Sequence, residues 1–542
     1  MIYNNDPLAY PYSSQRNATY AHNGMVATTN PLAAQIGVDI LKRGGNAIDA
    51  AIATAAMLTV VEPTGCGIGG DAFALVWIKS TLHGLNASST APQGLTPAVL
   101  AEHGYSSTDT MPLYGWLPVT VPGIPAAWSA LSKRWGKLDF AELLQPAIDI
   151  AEGGFPVSPT TSLLWARAAK QFSAVLEDER IKKAWFDTFT KDGDAPKAGE
   201  LFCSPTHGST LRSIAETHGE SFYRGELADK IDAFSRQTGG ILRKEDLAGY
   251  QTEWVDPISV NYRGYDIWEI PPNGQGMVAL MALNILKGFD FSQRDCARTL
   301  HRQIEAMKLA YTDGQAFITQ PDCMTVSVDA LLSGEYAEQR RALISEQALT
   351  PEVGKPNSGG TVYLATADSD GNMVSFIQSN FHGFGSGVVV PDTGIALQNR
   401  GADYSLNPEH ANYLQPGKKS FHTIIPGFIT KGQQAVGPFG VMGAYMQPQG
   451  QVQVVMNMID FGMNPQAALD APRWQWFGDK TVGLETGVAE NIFNGLQSQG
   501  HHVEWATDPS IYGRGQIILR NPDSGVLCGG TEKRADGYIA CY

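Results

Sequence analysis

The feature that most constrains the fold is a pair of apolar strand-like segments joined by a short turn. Residues 361–368 (TVYLATAD) and 373–380 (MVSFIQSN) are rich in apolar and β-branched side chains. An Asp-Gly pair, Asp370-Gly371, lies between them, and this dipeptide between two such runs is a strong signal for a β-hairpin. We therefore predict two paired strands with a two-residue turn at Asp370-Gly371.

The predicted register brings a threonine beside two polar side chains at the open end of the hairpin. If Asp370 and Gly371 are the only turn residues, Thr361 lies directly opposite Asn380 and beside Ser379. Residues paired across two strands have Cβ atoms about 4.5–5.5 Å apart, so these side chains are expected to interact.

Thr361 also follows a segment that is typical of a loop. Residues 350–360 (TPEVGKPNSGG) contain two prolines and three glycines, which predicts a mobile segment outside the core. Cleavage between Gly360 and Thr361 would give Thr361 a free α-amino group beside its own hydroxyl. An α-amine titrates at about pH 8, so its neutral form is available to act as a base for the hydroxyl. A strand-initial threonine after Gly-Gly is also an ordinary structural feature, and the hairpin alone leaves both interpretations open.

The rest of the chain predicts sheets covered by helices. Asn30-Pro31 provides a helix cap and a first-turn proline for a helix that reaches Lys42-Arg43. An alanine-rich helix over 47–60 and a strand over 73–78 follow. The middle of the chain, about 138–352, is predicted to be mostly helical, with periodic segments at 140–151, 211–217, 277–286 and 300–311. Early helices and late strand pairs predict an α/β fold.

Composition excludes several functional classes. The 542 residues carry a formal net charge of −15, which disfavours binding to the phosphate backbone of a nucleic acid. Residues 1–30 lack the basic start and apolar run of a secretory signal, and no apolar stretch is long enough to cross a membrane. The six cysteines are scattered without a CxxC pair, as in reduced cytoplasmic proteins. We predict a cytoplasmic protein that binds neither nucleic acid nor membrane.

Two competing motifs are interpreted structurally. Gly65–Gly70 (GCGIGG) fits the GxGxxG pattern of dinucleotide-binding proteins, but a helix precedes it and no acidic residue lies between Asp71 and Glu102. Close backbone packing is the better explanation, and Cys66 is interpreted as a packed thiol. The histidines form no HExxH motif, so no metal site and no cofactor are predicted. Only His382 and His422 lie near the predicted site.

Three long segments resemble the gamma-glutamyltransferase (glutathione hydrolase) family. They are 23–73 (NGMVATTN…GGDAF), 361–405 (TVYLATAD…GADYS) and 454–474 (VVMNMIDFGMNPQAALDAPRW). The resemblance implies an N-terminal-nucleophile hydrolase with a four-layer αββα sandwich, in which two stacked, mainly antiparallel sheets lie between helical layers. It also implies self-cleavage into a large subunit, 1–360, and a small subunit, 361–542, interleaved in one body.

The resemblance assigns roles to individual residues. Thr361 corresponds to the family's autoprocessing and catalytic threonine, and Ser379 to the residue that contacts its amino group. Asp403 corresponds to the aspartate that binds the substrate's α-amino group. Gly443 and Ala444 correspond to a Gly-Gly pair whose backbone N–H groups form the oxyanion hole, where the loss of one donor typically costs about 10²–10³ in rate.

The sequence departs from the family where a substrate carboxylate is bound. In that family an arginine grips the α-carboxylate, but residues 85–92 (LNASSTAP) contain no arginine. The family's Ser-Ser carboxylate contact corresponds to His422-Thr423. Loss of a fixed guanidinium removes bidentate recognition of a carboxylate. Arg400, His422 and Lys419 are the substitutes that the sequence offers.

The resemblance implies a self-processing amidohydrolase or acyltransferase that cleaves gamma-glutamyl amides through a threonyl acyl-enzyme. The missing arginine and the segments FHTIIP and MQPQG favour a branch with glutathione-hydrolase-like proteins, oxamate amidohydrolase and some cephalosporin acylases. An amidohydrolase for another small amide, such as oxamate, or a cephalosporin-type acylase is therefore an alternative, and an unprocessed binding protein is a third. The expected partners are a small amide substrate and the two fragments of one precursor. A homodimer of heterodimers is one possible oligomeric state.

Overall fold

Two seven-stranded antiparallel sheets form the centre of the molecule. The computed structural model describes residues 15–351 and 361–542. The strands in the first half are β1 Thr19–Ala21, β2 Gly24–Thr28, β3 Asp71–Ile78, β4 Thr81–Ala87, β5 Phe155–Pro156, β6 Leu201–Phe202, β7 Glu253–Val255, β8 Ile258–Tyr262 and β9 Tyr265–Glu269. The later strands are β10 Val362–Asp368, β11 Met373–Ser379, β12 Val389–Val390, β13 Ile395–Ala396, β14 Gly427–Lys431, β15 Gln434–Met442, β16 Trp474–Gly478, β17 Thr481–Glu485, β18 His502–Ala506, β19 Arg514–Arg520, β20 Leu527–Thr531 and β21 Tyr538–Cys541.

Most of the helices lie in the first two thirds of the chain. The early helices are α1 Pro31–Lys42, α2 Ala47–Val61, α3 Pro97–Glu102, α4 Ile124–Trp135, α5 Phe140–Gly153, α6 Pro159–Val175, α7 Glu179–Phe189, α8 Pro205–Thr217 and α9 Glu220–Tyr223. The later helices are α10 Glu226–Gln237, α11 Lys244–Ala248, α12 Gly276–Leu286, α13 Ala297–Phe317, α14 Val328–Leu331, α15 Gly334–Arg341, α16 Gln447–Ile459, α17 Pro465–Asp470 and α18 Glu490–Ser498. Asn30 caps α1 through its side chain, as predicted.

Each large sheet contains strands from both sides of the predicted cleavage point. The first sheet has the order β1-β20-β19-β15-β14-β9-β8, and the second has the order β21-β2-β10-β11-β3-β4-β7. In the second sheet β10 and β11, which follow residue 360, pair with β2 and β3, which precede it. Separation of the two parts would therefore break both sheets. The division into fragments itself stays a prediction, and Gly360 lies outside the described residues.

The inner faces of the two sheets share an apolar core. Phe73, Tyr363 and Ile377 from the second sheet pack with Phe428 and Ile518 from the first. Gly440 has no side chain where the ring of Tyr363 crosses it, since a Cβ there would lie 2.4 Å from Tyr363 Cε2. On the outer faces α2 packs against β10 and β11, while α12 and α16 pack against the first sheet. This arrangement confirms the predicted α/β sandwich of two antiparallel sheets with helices outside.

The predicted hairpin forms, but its turn was predicted wrongly. Val362 pairs with Gln378, so the register places Thr361 level with Ser379 and not with Asn380. The loop has three residues, 369–371, and the last, Gly371, has a left-handed φ of +81°. Such loops combine a turn with a final residue at positive φ, and glycine meets that requirement. This register places the hydroxyl groups of Thr361 and Ser379 opposite each other.

Two strand pairs lie in the segment that was predicted to be mostly helical, the short pair β5–β6 and the longer pair β8–β9. The prediction of a mostly helical middle segment missed β8 and β9, which form an antiparallel hairpin in the first sheet. Arg263 and Gly264, both at positive φ, form its turn. The alternation in Ile258–Tyr262 and Tyr265–Glu269 is the period-two signal of a half-buried strand.

The described residues contain no helix with the length and apolarity needed to cross a bilayer. All six cysteines lie within the described ranges and none forms a disulfide. Cys66 is buried against Gln378, and burial raises the pKa of its thiol well above the ordinary value. This environment agrees with the interpretation of Cys66 as a packed thiol and not a nucleophile.

Candidate active site

Thr361 lies fully buried at the start of β10, beside the last residue of β11. Its Oγ1 is 3.0 Å from the Oγ of Ser379, within hydrogen-bond distance. The Ser379 hydroxyl also accepts a hydrogen bond of 2.8 Å from the backbone N–H of Phe381. The sheet thus holds the two hydroxyl groups in a fixed geometry at the end of the hairpin.

The glycine-rich segment 65–70 packs against this end of the hairpin. A Cβ at Gly65 would lie 3.1 Å from the carbonyl oxygen of Thr361, and one at Gly70 would lie 2.4 Å from the carbonyl oxygen of Ser379. Only a residue without a side chain allows such close backbone approach. The prediction that these glycines serve packing is confirmed. They also bring the loop after α2 to the predicted nucleophile.

A buried carboxylate behind Ser379 was missed by the sequence analysis. Asp71 pairs with Ser379 across β3 and β11. It accepts hydrogen bonds from Ser89 Oγ at 2.9 Å, Gln398 Nε2 at 2.7 Å and His422 Nε2 at 2.8 Å. These donors come from three separate segments, so Asp71 ties them to the hairpin. In the sequence Asp71 simply follows Gly69-Gly70, and no local pattern marks it.

His422 and Lys419 were predicted as substitutes for the missing arginine, and both have structural partners. His422 binds Asp71 through Nε2, and its Nδ1 accepts a hydrogen bond of 3.3 Å from the Ile424 N–H. Burial lowers the pKa of His422 to about 4, so the ring is neutral at pH 7. Lys419 Nζ lies 2.5 Å from the Glu253 carboxylate. The geometry favours supporting roles for both side chains, and substrate contact by them stays a prediction.

Arg400, Asp403, Thr423 and Tyr445 form a buried polar group. Arg400 Nη1 donates to Asp403 Oδ2 at 3.0 Å and to Thr423 Oγ1 at 2.7 Å. Tyr445 OH donates to Asp403 Oδ1. Burial raises the pKa of Asp403, although Arg400 and Tyr445 oppose the shift. Both oxygens of the aspartate that was predicted to bind an α-amino group therefore already accept a hydrogen bond. Tyr445 was not predicted.

The guanidinium of Arg400 is only partly used by these contacts. Its Nε and Nη2 are buried and have no hydrogen-bond partner among residues 15–351 and 361–542. Its Cζ lies 4.1 Å from the centre of the Phe381 ring, a stacking distance. Phe381 is also the residue whose N–H bonds to Ser379. Arg400 is therefore one side chain away from the Thr361–Ser379 pair and retains two donors.

Gly443 and Ala444 end β15 in a strained turn. Gly443 has φ +140° and Ala444 has φ +47°. Neither backbone N–H donates a hydrogen bond to another described residue. Consecutive N–H groups in such turns form concave anion sites. Since left-handed backbone costs a non-glycine residue about 1–2 kcal/mol, the alanine keeps the donor at a small energetic cost. The arrangement fits the predicted oxyanion hole.

Two cavities adjoin these groups. The first, here called the Asp403 cavity, has a volume of about 490 Å³ and is lined by residues that include Met111, Gln315, Asp403, Phe421 and Tyr445. The second, called the Arg514 cavity, has a volume of about 310 Å³ and is lined by residues that include Thr64, Gly65, His382, Met442, Gly443 and Arg514. Because Gly65 packs on the backbone of Thr361, the second cavity lies next to the Thr361 end of the hairpin.

A separate cluster of buried side chains lies away from this site. His301, Glu305 and His501 have potential ligand atoms within 4.8 Å of one another. Lys308 Nζ lies 2.8 Å from Glu305 Oε1, so a positive charge already compensates the carboxylate. Glu305 Oε2 accepts a hydrogen bond from the Leu349 N–H at 2.9 Å. The cluster thus fixes the chain shortly before residue 352.

Comparison with known proteins identifies the family. A model of gamma-glutamyltranspeptidase matches residues 33–542. The chain belongs to this family. The glutathione hydrolase-like YwrD proenzyme of Bacillus subtilis is 36% identical over 523 residues, which cover 95% of this chain and 97% of that protein. The oxamate amidohydrolase proenzyme of Klebsiella pneumoniae is 34% identical over 541 residues, which cover 96% of this chain and 98% of that protein.

A solved structure supports the same assignment. The crystal structure of a cephalosporin acylase from Bacillus halodurans matches with a TM-score of 0.96 and 60% identity, and the match covers 99% of both chains. This gamma-glutamyltranspeptidase family member is therefore an enzyme with the N-terminal-nucleophile hydrolase fold. The three relatives carry three different activity names, so family membership leaves the substrate to be argued from the side chains.

Proposed function

We propose that this enzyme cuts its own chain before Thr361 and then hydrolyses amides through a threonyl ester. The observation that carries the proposal is the buried Thr361–Ser379 hydroxyl pair, 3.0 Å apart, at the position to which the sequence resemblance assigns the nucleophile. The proenzyme names of two relatives, in Bacillus subtilis and Klebsiella pneumoniae, support the cleavage step.

In the proposed first step, the α-amine of processed Thr361 accepts the hydroxyl proton, and Oγ1 attacks the amide carbonyl carbon. The carbonyl oxygen becomes an oxyanion held by the N–H groups of Gly443 and Ala444. The C–N bond then breaks, and the leaving nitrogen takes the proton from the α-amine. The products are a free amine and an ester on Thr361.

Water completes the reaction. The α-amine accepts a proton from water as the oxygen attacks the ester carbonyl carbon. The bond between the acyl carbon and Thr361 Oγ1 breaks, and Oγ1 recovers its proton. The acid is released and the nucleophile is restored. When an amine attacks in place of water, the same steps transfer the acyl group.

The charges around the Asp403 cavity favour an acyl group with a carboxylate. Arg400 has two donors without a partner among the residues that the structure describes, whereas both oxygens of Asp403 already accept hydrogen bonds. A substrate carboxylate would meet unused charge-assisted donors, while an ammonium group would compete with Arg400 and Tyr445. Gamma-glutamyl amides carry both groups and remain substrates in this proposal. Amides of simple dicarboxylic acids, which lack the ammonium group, fit these charges better.

The relatives' names include the alternatives. Cephalosporin acylase activity, as in the Bacillus halodurans name, needs a large acyl pocket, and the Asp403 cavity of about 490 Å³ is of ligand size. Oxamate, as in the Klebsiella pneumoniae name, is itself a small amide with a carboxylate. Release of ammonia from oxamate is the assay that tests this alternative directly.

Self-cleavage is tested by the intact mass of the purified protein. The wild-type enzyme is expected to give two fragments that meet between Gly360 and Thr361, and the Thr361→Ala variant one uncut chain. Thr361→Ser keeps a hydroxyl and is the matched control, expected to be cut, although more slowly. An uncut wild-type chain would overturn the mechanism and favour the binding-protein alternative.

The acyl preference is tested with four 4-nitroanilides that differ only in their charges. Gamma-glutamyl carries a carboxylate and an ammonium, glutaryl the carboxylate alone, 4-aminobutanoyl the ammonium alone, and butanoyl neither. The carboxylate is expected to raise kcat/KM about tenfold or more, with or without the ammonium, because charge-assisted hydrogen bonds have that strength. A gain that depends on the ammonium would instead support recognition by Asp403.

A further inference from the structure

The Arg514 cavity is not used by the acyl group in the proposed mechanism. It is lined by Gly65, which packs on the carbonyl oxygen of Thr361, and by Gly443, whose N–H belongs to the predicted oxyanion hole. The Asp403 cavity is lined by other residues, and in the proposed function it takes the acyl side of the amide. A scissile amide has two sides, so the Arg514 cavity is placed to receive the leaving amine.

The charge in this cavity comes from a buried arginine with few partners. The Arg514 side chain is only 7% exposed, and its Nη1 lies 3.9 Å from Glu62 Oε1, too far for a hydrogen bond. Its Nε is buried without a partner among the described residues, and none of them accepts a hydrogen bond from its side chain. A guanidinium in this state presents unused donors to whatever occupies the cavity.

The neighbouring groups in the lining bring no negative charge to the cavity. Arg167 lies at the rim, where Asp508 pairs with it at 2.9 Å in an exposed contact. The other polar side chains of the lining carry no negative charge at pH 7; they are Thr64, Tyr114, Gln171, His382 and Ser510. The carboxylate of Glu62 is outside the lining and is shared with Thr29, which donates to its Oε2.

We propose that the Arg514 cavity is a leaving-group subsite that selects amines carrying a carboxylate. The guanidinium of Arg514 would bind that carboxylate while Thr361 attacks the adjoining amide carbonyl. Amino acids, peptides and aminobenzoates are the chemical classes of leaving amine that fit. The inference rests on the proposed amidohydrolase function and adds the identity of the second half of the substrate.

A pair of chromogenic substrates tests the proposal. The acyl group is glutaryl or gamma-glutamyl in both, and the leaving amine is either 4-nitroaniline or 5-amino-2-nitrobenzoate, which adds one carboxylate. The ratio of the two kcat/KM values is compared between the wild type and Arg514→Gln, so that differences in intrinsic reactivity cancel. We expect the variant to lose about tenfold or more of the preference for the carboxylated amine. Arg236→Gln, at an exposed arginine paired with Asp232, is the control and should keep the wild-type ratio.

An inhibition measurement covers the case in which Arg514→Gln does not fold. With the wild-type enzyme and the 4-nitroanilide substrate, 3-aminobenzoate is expected to inhibit at least about tenfold more strongly than 3-aminobenzamide. An unchanged ratio in a folded, processed Arg514→Gln enzyme would overturn the inference, as would equal inhibition by the two compounds. A wild-type chain that is neither cut nor active would instead overturn the proposed function.

Discussion

Two buried glutamates in this molecule have opposite environments. Glu532 contacts Arg473 Nη2 at 2.7 Å and Arg534 Nη1 at 2.6 Å, and these guanidinium groups outweigh burial and lower the pKa of Glu532 to about 2. Glu62 has one arginine, Arg514, at 3.9 Å, and burial raises the pKa of Glu62 to about 7. The negative charge of Glu532 is balanced by two arginines in direct contact, whereas Glu62 has no arginine within hydrogen-bond distance among the described residues.

The arginines in the two regions differ in the same way. Arg534 uses Nε, Nη1 and Nη2 in hydrogen bonds to Glu485, Glu532 and two backbone carbonyls. Within residues 15–351 and 361–542, Arg400 donates hydrogen bonds through Nη1 alone and Arg514 donates none from its side chain. Buried charge is costly unless it is paired. The closed network therefore supports the fold, while we propose that a substrate completes the open groups of Arg400 and Arg514.

The largest predicted effect is in the closed network. Glu532→Gln leaves the buried guanidinium of Arg473 without a carboxylate and Arg534 with Glu485 alone, and is expected to cost about 3–5 kcal/mol in the free energy of unfolding. Urea unfolding at pH 7 measures it, with Glu504→Gln on exposed β18 as the control. A loss below about 1 kcal/mol, typical of exposed pairs, would remove the distinction between the two regions.

The second prediction concerns the pH dependence that the two glutamates produce. Between pH 4.5 and about 7 an unfolded Glu62 is ionised while the folded one stays protonated, so its contribution to stability falls as the pH rises through this window. The contribution of Glu532 to stability has the opposite pH dependence, because it is lost as the pH falls from 4.5 towards about 2. Glu62→Gln should remove on the order of 3 kcal/mol of pH-dependent change. Identical unfolding profiles of wild type and variant between pH 4 and 8 would contradict the assignment.

The third prediction separates binding from stability at Arg400. The double variant Arg400→Gln/Asp403→Asn removes both charges together, so no uncompensated charge stays buried. We expect the preference for glutaryl over butanoyl anilide to fall about 10- to 100-fold, the strength of hydrogen bonds to a charged group. The unfolding midpoint should shift less than in Glu532→Gln. A retained preference would show that Arg400 is structural, like Arg534.

The sequence predicted the hairpin of β10 and β11 well because its signals are local. The strands, the Asp-Gly turn and the flanking glycines all lie within a few residues of one another, and only the turn length was wrong. Asp71 and Tyr445 were missed because their partners, such as His422 and Asp403, are distant in sequence. Which donors of Arg400 lack a partner is decided by contacts between distant segments, and no local sequence pattern indicates such contacts.

The smallest predicted effect concerns the backbone at the oxyanion hole. Ala444→Gly removes the steric strain of an alanine in the left-handed conformation, but glycine also gives the unfolded chain more conformational entropy. The two effects nearly cancel, so the free energy of unfolding should change by less than about 1 kcal/mol. The N–H donor is retained, and kcat/KM should stay within about twofold of the wild type. A loss approaching the roughly 10²-fold effect of a missing donor would contradict the assignment of this N–H.

The central claim is that Thr361 carries the acyl group, and an acyl-enzyme trap tests it most directly. The processed enzyme is mixed briefly with the 4-nitrophenyl ester of glutarate, quenched with acid and examined by mass spectrometry of the fragments and their peptides. The account predicts one added glutaryl group on the fragment that begins at Thr361, located on that residue. Acylation of Cys66, Ser379 or another residue, with Thr361 unmodified during turnover, would contradict it.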